Sequence, residues 1–221
     1  MDNIRALLNE YRQKKYSLYN QYYSMKDWGN VMDAESYLKK YYLDEQEYLQ
    51  KWKNIQDTIF INQRKGFPKM IFREEFFLFP FRGGILFERT EYEELQKFML
   101  EIEDKYLIII QNDFGGLEKK PVLRMKYPSA ITWEELMSGN FISTVLVEMF
   151  ANEYFVFSES GLWGKYSAND YDYPLDIVGT KLSVKKQFLK NRKLDKEDMI
   201  ELYSWLPNEY KEKMRNLIYS I

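Results

Sequence analysis

Asn152–Lys181, NEYFVFSESGLWGKYSANDYDYPLDIVGTK, is the stretch whose reading decides the fold. Glu153 to Ser158 is rich in aromatic and β-branched residues (Tyr154, Phe155, Val156, Phe157), the composition of a strand with at least one buried face. Ser158-Glu159-Ser160-Gly161 is turn chemistry, small polar residues followed by a glycine that can take positive φ. Leu162 to Ala168 then returns as a second strand, with Trp163 and Tyr166 on opposite faces and Trp163 in the core. Asn169 to Pro174 reads as a loop, because the residue before a proline is biased away from helix. Leu175 to Val178 is a short apolar run that Gly179 ends.

Working outward, the N-terminal third is helical in pattern. Ile4, Leu7, Leu8, Tyr11, Leu18 and Tyr22 approximate the spacing of one apolar face and predict a helix over 3–25. Asp33 is placed to cap a second helix over 34–57, which carries Tyr37, Leu38, Tyr41, Tyr42, Tyr48, Leu49, Trp52 and Ile55. Two long helices with a short break predict an antiparallel hairpin over residues 1–65, its Tyr-rich stripes being core or, less commonly for such stripes, a partner surface. The Arg64-Lys65-Gly66-Phe67-Pro68 run marks the boundary to an α+β domain over 66–221, unless the two form one continuous domain.

Beyond the boundary the pattern turns to strands. Met70 to Phe79 predicts a strand, and Ile85 to Phe87 continues a hairpin around Gly83-Gly84. Thr90 and Glu93 have capping-box spacing at the start of a helix with Leu95, Phe98, Met99 and Ile102 on its apolar face. Tyr106 to Gln111 is apolar throughout and predicts a central strand. Pro121 to Tyr127 predicts another strand, and Thr132 with Glu135 caps a short helix over 133–138, while 142–150 fits helix or strand. Helices follow over 183–193, 195–205 and 208–219. The expected fold is therefore α+β: a helical hairpin, a largely antiparallel sheet of four to seven strands, then C-terminal helices.

Composition narrows the chemistry. The 221 residues contain no Cys and no His, which removes disulfides, thiol nucleophiles, the usual general base and the commonest zinc ligand. An enzyme here would have to work with carboxylates, Lys, Tyr, Ser or Thr, so a non-enzymatic protein with no cofactor is expected. A net charge of −2 argues against a general nucleic-acid binder. The polar N-terminus and the short apolar runs predict a cytoplasmic protein with no membrane partner. Asn112 to Gly116 has two glycines but no phosphate-loop pattern. The adjacent pairs Glu74-Glu75, Glu93-Glu94 and Glu134-Glu135 are not matched acid–base pairs, since neighbouring residues point apart. Lys185, Lys186, Lys190, Arg192 and Lys193 form a solvated basic face or a phosphate contact, the first being favoured by nearby Asp195, Glu197 and Asp198.

In the opening stretch five carboxylates (Glu153, Glu159, Asp170, Asp172, Asp176) face two lysines (Lys165, Lys181). An acidic, aromatic surface for a basic partner would use Glu159, Lys165, Tyr166, Asp170, Tyr171, Asp172 and Asp176. The plainer reading is a hairpin with its aromatics in the core and its acids in water. A cation at Asp170, Asp172 and Asp176 is a third reading, but the calcium-loop pattern fails at Leu175 and Lys181.

The run SGLWGKYSANDYDYPLDIVG, preceded by a Phe-x-Phe-x-x-Ser approach strand, resembles segments of small bacterial immunity proteins found with polymorphic toxins. The matching features are Trp-Gly-Lys-Tyr, Asn-Asp-Tyr and the closing Pro-Leu-Asp-Ile-Val-Gly. The resemblance implies a cytoplasmic protein without cofactor that binds a cognate toxin and blocks its active site or substrate path. Two other functions stay open: a carboxylate-dependent, metal-assisted hydrolase acting on phosphodiesters or sugars, and an adaptor that binds through its N-terminal helices.

Overall fold

The computed structural model describes residues 3–9, 31–61, 69–82, 87–112, 122–138, 153–168, 175–192 and 196–218. Their architecture is α+β. Six strands, β1 (Phe77–Arg82), β2 (Tyr106–Gln111), β3 (Arg124–Pro128), β4 (Glu153–Ser158), β5 (Trp163–Ala168) and β6 (Leu175–Thr180), form one sheet in the order β1-β6-β5-β4-β2-β3. Every pairing is antiparallel. The expected hairpin is present as β4 and β5, with Phe157 opposite Gly164 and Gly161 turning the chain at φ +64°.

Alternation along the strands splits the sheet into two apolar faces. Phe79, Phe81, Leu107, Ile109, Met125, Tyr154, Val156, Trp163 and Val178 belong to one core. Leu78, Ile108, Ile110, Phe155, Phe157, Tyr166, Leu175 and Ile177 belong to the other. A sheet buried on both sides needs strands that are apolar at every position, which is what β2 and β4 supply. Each fully buried Leu, Ile or Phe contributes on the order of 1.5–3 kcal/mol, so both faces demand cover.

Helices supply the cover. The first face packs α1 (residues 3–9), α2 (Val31–Tyr41), α5 (Arg89–Glu101), α6 (Trp133–Ser138) and α7 (Leu182–Asn191), through residues such as Leu8, Leu38, Phe98, Leu136 and Phe188. The second packs a helical run made of α3 (Glu45–Glu47), a π turn (Tyr48–Trp52) and α4 (Lys53–Ile59), together with α9 (Asn208–Ile218). Between them α8 (Lys196–Trp205) places Met199 in the first core and Leu202 in the second. The chain thus wraps both sheet edges. At the β3 edge Tyr42 bridges Met125 and the Leu43 amide donates to the Arg124 carbonyl at 2.9 Å. Covering an edge in this way removes a template for unwanted strand pairing.

Several expectations are corrected. The helix expected over 34–57 is two: α2 begins at Val31, before Asp33, and residues 42–44 break it because Tyr42 and Leu43 pair with β3. Asp44 then caps the next run by accepting the Glu47 amide at 2.9 Å. The two segments lie on opposite faces of the sheet, so they pack into the two cores. The other half of the expected hairpin falls largely on 10–30, outside the described residues. The first strand is Phe77–Arg82, not 70–79, and it pairs with β6. Residues 70–76 instead cross the second face, where Phe72 bridges Phe60. α5 begins one residue before Thr90, after an extended Glu88 with no side-chain cap, so Thr90 and Glu93 form no capping box. Thr132 does cap α6, its hydroxyl accepting the Glu135 amide at 3.1 Å.

β6 runs through Gly179 to Thr180. Gly179 does not end it but makes room on it. A Cβ there would lie 2.6 Å from two Phe72 ring carbons, and one on Gly164, its partner across the ladder, 2.7 Å from Phe60.

Candidate functional site

β5 carries Trp163, Lys165 and Ser167 on one face by simple alternation. β6 runs antiparallel beside it and sets Asp176 opposite Ser167. α5 crosses above and brings in Glu91, which lies on the same helical stripe as Leu95 and Phe98. The result is a buried charged centre. The Lys165 ammonium is 2.7 Å from Glu91 Oε1 and 2.7 Å from Asp176 Oδ2. The Ser167 hydroxyl donates to Asp176 Oδ1 at 2.9 Å. The Phe87 ring lies against the ammonium, 4.6 Å from centroid to Nζ. Lys165 and Asp176 are fully buried and Glu91 nearly so.

Burial pushes the Asp176 carboxyl up to about 7, against the opposing pull of the Lys165 charge. For Lys165 burial acts to lower the pKa, but the two carboxylates outweigh it and the ammonium is held above its ordinary range. The centre therefore pairs a lysine held in its charged form with a carboxyl less acidic than an ordinary aspartate.

Glu91 also lines a crevice between α5 and α7, with Phe81, Glu94, Leu95, Phe98, Val178, Phe188 and Arg192. Arg192 pairs with Glu94 at 3.0 Å and lies over the Phe81 ring at 4.0 Å. The crevice has room for about one water. Among the described residues no group of three or more carboxylates is placed to hold a metal ion.

The residues singled out from the sequence are scattered. Lys165 and Asp176 lie in the buried centre, and Tyr166 lies in the opposite core with its hydroxyl accepting from Asn112 Nδ2 at 3.2 Å. Asn112 also donates to Glu153 at 3.1 Å, so Glu153 is an internal group too. Glu159 sits in the β4–β5 turn, accepting the Lys105 amide at 3.0 Å and facing Lys51 at 3.6 Å. Asp170, Tyr171 and Asp172 lie outside the described residues. The described members thus form no single exposed patch: three are internal and the fourth sits at one end of the sheet. The cation reading fares no better, because Asp176 faces an ammonium.

Two members of the basic run meet acids of α5: Lys190 pairs with Glu101, and Arg192, just past the end of α7, pairs with Glu94. Glu93 and Glu94 do point apart, toward Arg89 and Arg192. The Tyr-rich stripe of α2 is core where described, with Tyr37 and Tyr41 buried beside Tyr127.

Topology gathers other acids and aromatics. Arg82, Gln111, Arg124, Glu153, Ala168 and Leu175 all lie at one end of the sheet. The strand ends that flank 113–121 and 169–174 in sequence are among them. At the same end Arg82 is held by Asp198 at 3.2 Å and Glu201 at 2.7 Å, with Trp205 stacked at 5.7 Å.

No family model, curated protein or solved structure matches this chain. No helix among the described residues is long and apolar enough to cross a membrane.

Sequence reading missed Glu91 as a member of the buried charged centre. Its signal was present: a carboxylate at the head of the Leu95–Phe98 stripe, where the helix faces the sheet. Lys165 gave the matching signal, a charge between Trp163 and Ser167 on the inward side of a strand.

Proposed function

We propose that this chain is a non-enzymatic, protein-binding protein of immunity type, which neutralises a cognate bacterial toxin through an acidic, aromatic surface. The reading rests on the resemblance of 152–181 and on one observation. The segment bearing Asp170, Tyr171 and Asp172 joins β5 to β6 one ladder position from Arg82, around which Asp198, Glu201 and Trp205 are assembled. The acids of α8 thus lie beside the strand end that flanks 169–174 in sequence, at one end of the sheet, the usual setting of a binding surface. The docking surface moves accordingly. It comprises 169–174 with α8, and it leaves out the buried Lys165, Tyr166 and Asp176 and the remote Glu159.

The test is neutralisation. The toxin encoded beside this chain is expressed with it, and growth is scored. Growth is restored by the natural chain and reduced by Asp170→Lys combined with Asp198→Lys in a variant that keeps its circular dichroism. Continued killing in the presence of the soluble natural chain contradicts the proposal.

A further inference from the structure

Arg124 opens β3 with its guanidinium inside the protein. The residue is 9% exposed, and its guanidinium carbon lies 4.7 Å from the centroid of the Tyr48 ring. A buried guanidinium needs a counter-charge and acceptors for its N–H donors. The counter-charge is distant: Glu45 Oε1 is 3.9 Å from Nη2, beyond hydrogen-bond reach, on a side chain that is mostly exposed. Nε is buried without a hydrogen-bond partner, and so is the Tyr42 hydroxyl. The two groups lie side by side, because Tyr42 bridges Met125 and the Leu43 amide donates to the Arg124 carbonyl at 2.9 Å. They are close enough for the Arg124 charge to pull the Tyr42 pKa down against the effect of burial, and Asn3 of α1 faces the same hydroxyl. Buried orphans of this kind call for a ligand, since each left unmet is costly.

We propose that Arg124 and Tyr42 form a binding site for a small monocarboxylate at the covered β3 edge. Nε and Nη2 share one edge of the guanidinium, spaced for the two oxygens of a carboxylate. One oxygen accepts from Nε and from the Tyr42 hydroxyl, which meets both orphans at once, and the other accepts from Nη2. Two donors that face each other without bonding are joined in this way by a shared acceptor. Charge sets the class of ligand. One buried guanidinium balances one negative charge, and Glu45 beside Nη2 repels a second, so a carboxylate fits better than a phosphate dianion. Glu45 is also the site's internal competitor, because its own carboxylate would fill the same edge by moving inward from 3.9 Å. The site is independent of the docking end formed by 169–174 and α8, since Tyr42 and Arg124 belong to the opposite edge of the sheet.

The experiment is a titration of the full chain with acetate, at neutral pH and constant ionic strength, read on the Arg124 Nε–Hε resonance assigned by through-bond correlation. Inorganic phosphate is titrated in parallel. The Arg124 signal shifts saturably with acetate and several-fold more weakly with phosphate. Glu45→Gln removes the competitor and tightens acetate binding several-fold. Tyr42→Phe weakens it several-fold, and Arg124→Lys, which keeps the charge but loses the two-donor edge, abolishes it. Should Arg124→Lys or Tyr42→Phe fail to fold, the natural chain and Glu45→Gln decide the matter. An Arg124 signal indifferent to acetate in both would overturn the proposal, leaving a bridging water only. So would acetate binding that Glu45→Gln does not tighten, or phosphate binding as strong as that of acetate.

Discussion

Gly164 and Gly179 face each other across β5 and β6, and together they form the floor on which Phe60 and Phe72 rest. The two rings lie 5.0 Å apart and their backbones bridge, so 59–61 and 71–73 pack as a small second layer above the sheet. A side chain on either glycine would meet ring carbons rather than open space. Gly179→Ala should therefore destabilise the protein by about 1–3 kcal/mol through overpacking, with Gly164→Ala similar. Urea denaturation reads this as a lowered midpoint at unchanged slope. Phe72→Leu should recover part of the loss in the Gly179→Ala background but not in the Gly164→Ala one.

Trp163 fills the first core and its indole N–H donates to Asp104 Oδ2 at 2.9 Å. Asp104 also accepts the Ser160 amide, which ties the β4–β5 turn to the end of α5. Trp163→Ala should cost about 3–5 kcal/mol. Trp163→Phe keeps most of the volume and should cost about 1–3 kcal/mol, the penalty for an orphaned buried acceptor. Thermal unfolding of both variants separates packing from hydrogen bonding.

Lys165 offers a test of buried ion pairing. Lys165→Met leaves two carboxylates facing one another and should destabilise by about 3–5 kcal/mol near neutral pH. Adding Glu91→Gln and Asp176→Asn to it removes the charges altogether, and most of the loss should return. A triple variant as unstable as Lys165→Met alone would show that shape, not charge, governs the site.

These residues also show how far the sequence could be read. The hairpin and β2 were legible because their composition is local: Phe155, Val156 and Phe157 need burial wherever the chain goes, and Gly161 marks the turn. The partner of Lys165 was not. Alternation with Trp163 puts Lys165 on the inward face, but local composition cannot show that Glu91, 74 residues earlier, brings a carboxylate over the strand, so a buried ion pair looked like a surface charge. Gly179 was misread for the same reason, since its role is set by Phe72 rather than by its neighbours in β6. The break at 42–44 is a tertiary override as well. The apolar periodicity of 34–57 continues through it, but pairing of Tyr42 and Leu43 with β3 wins over helix propensity.

Arg82 is the cation held among Asp198, Glu201 and the Trp205 ring at the proposed docking end. These ion pairs are half exposed and screened by solvent, so Arg82→Gln should leave stability nearly unchanged. It also leaves that end of the sheet more negative. Association with a basic partner should then become faster and more salt-sensitive, with dissociation little changed. Denaturation and association kinetics on one preparation check both halves.

The most direct test of a toxin-binding role is stopped-flow association with the toxin encoded beside this chain, at low and at physiological salt. The account predicts rapid, salt-sensitive association. It predicts slower association for Asp170→Lys and Asp172→Lys, and faster dissociation for Tyr171→Ala, on the order of 2 kcal/mol in affinity. Folded variants that associate and dissociate like the natural chain, or a natural chain that forms no complex, would contradict it.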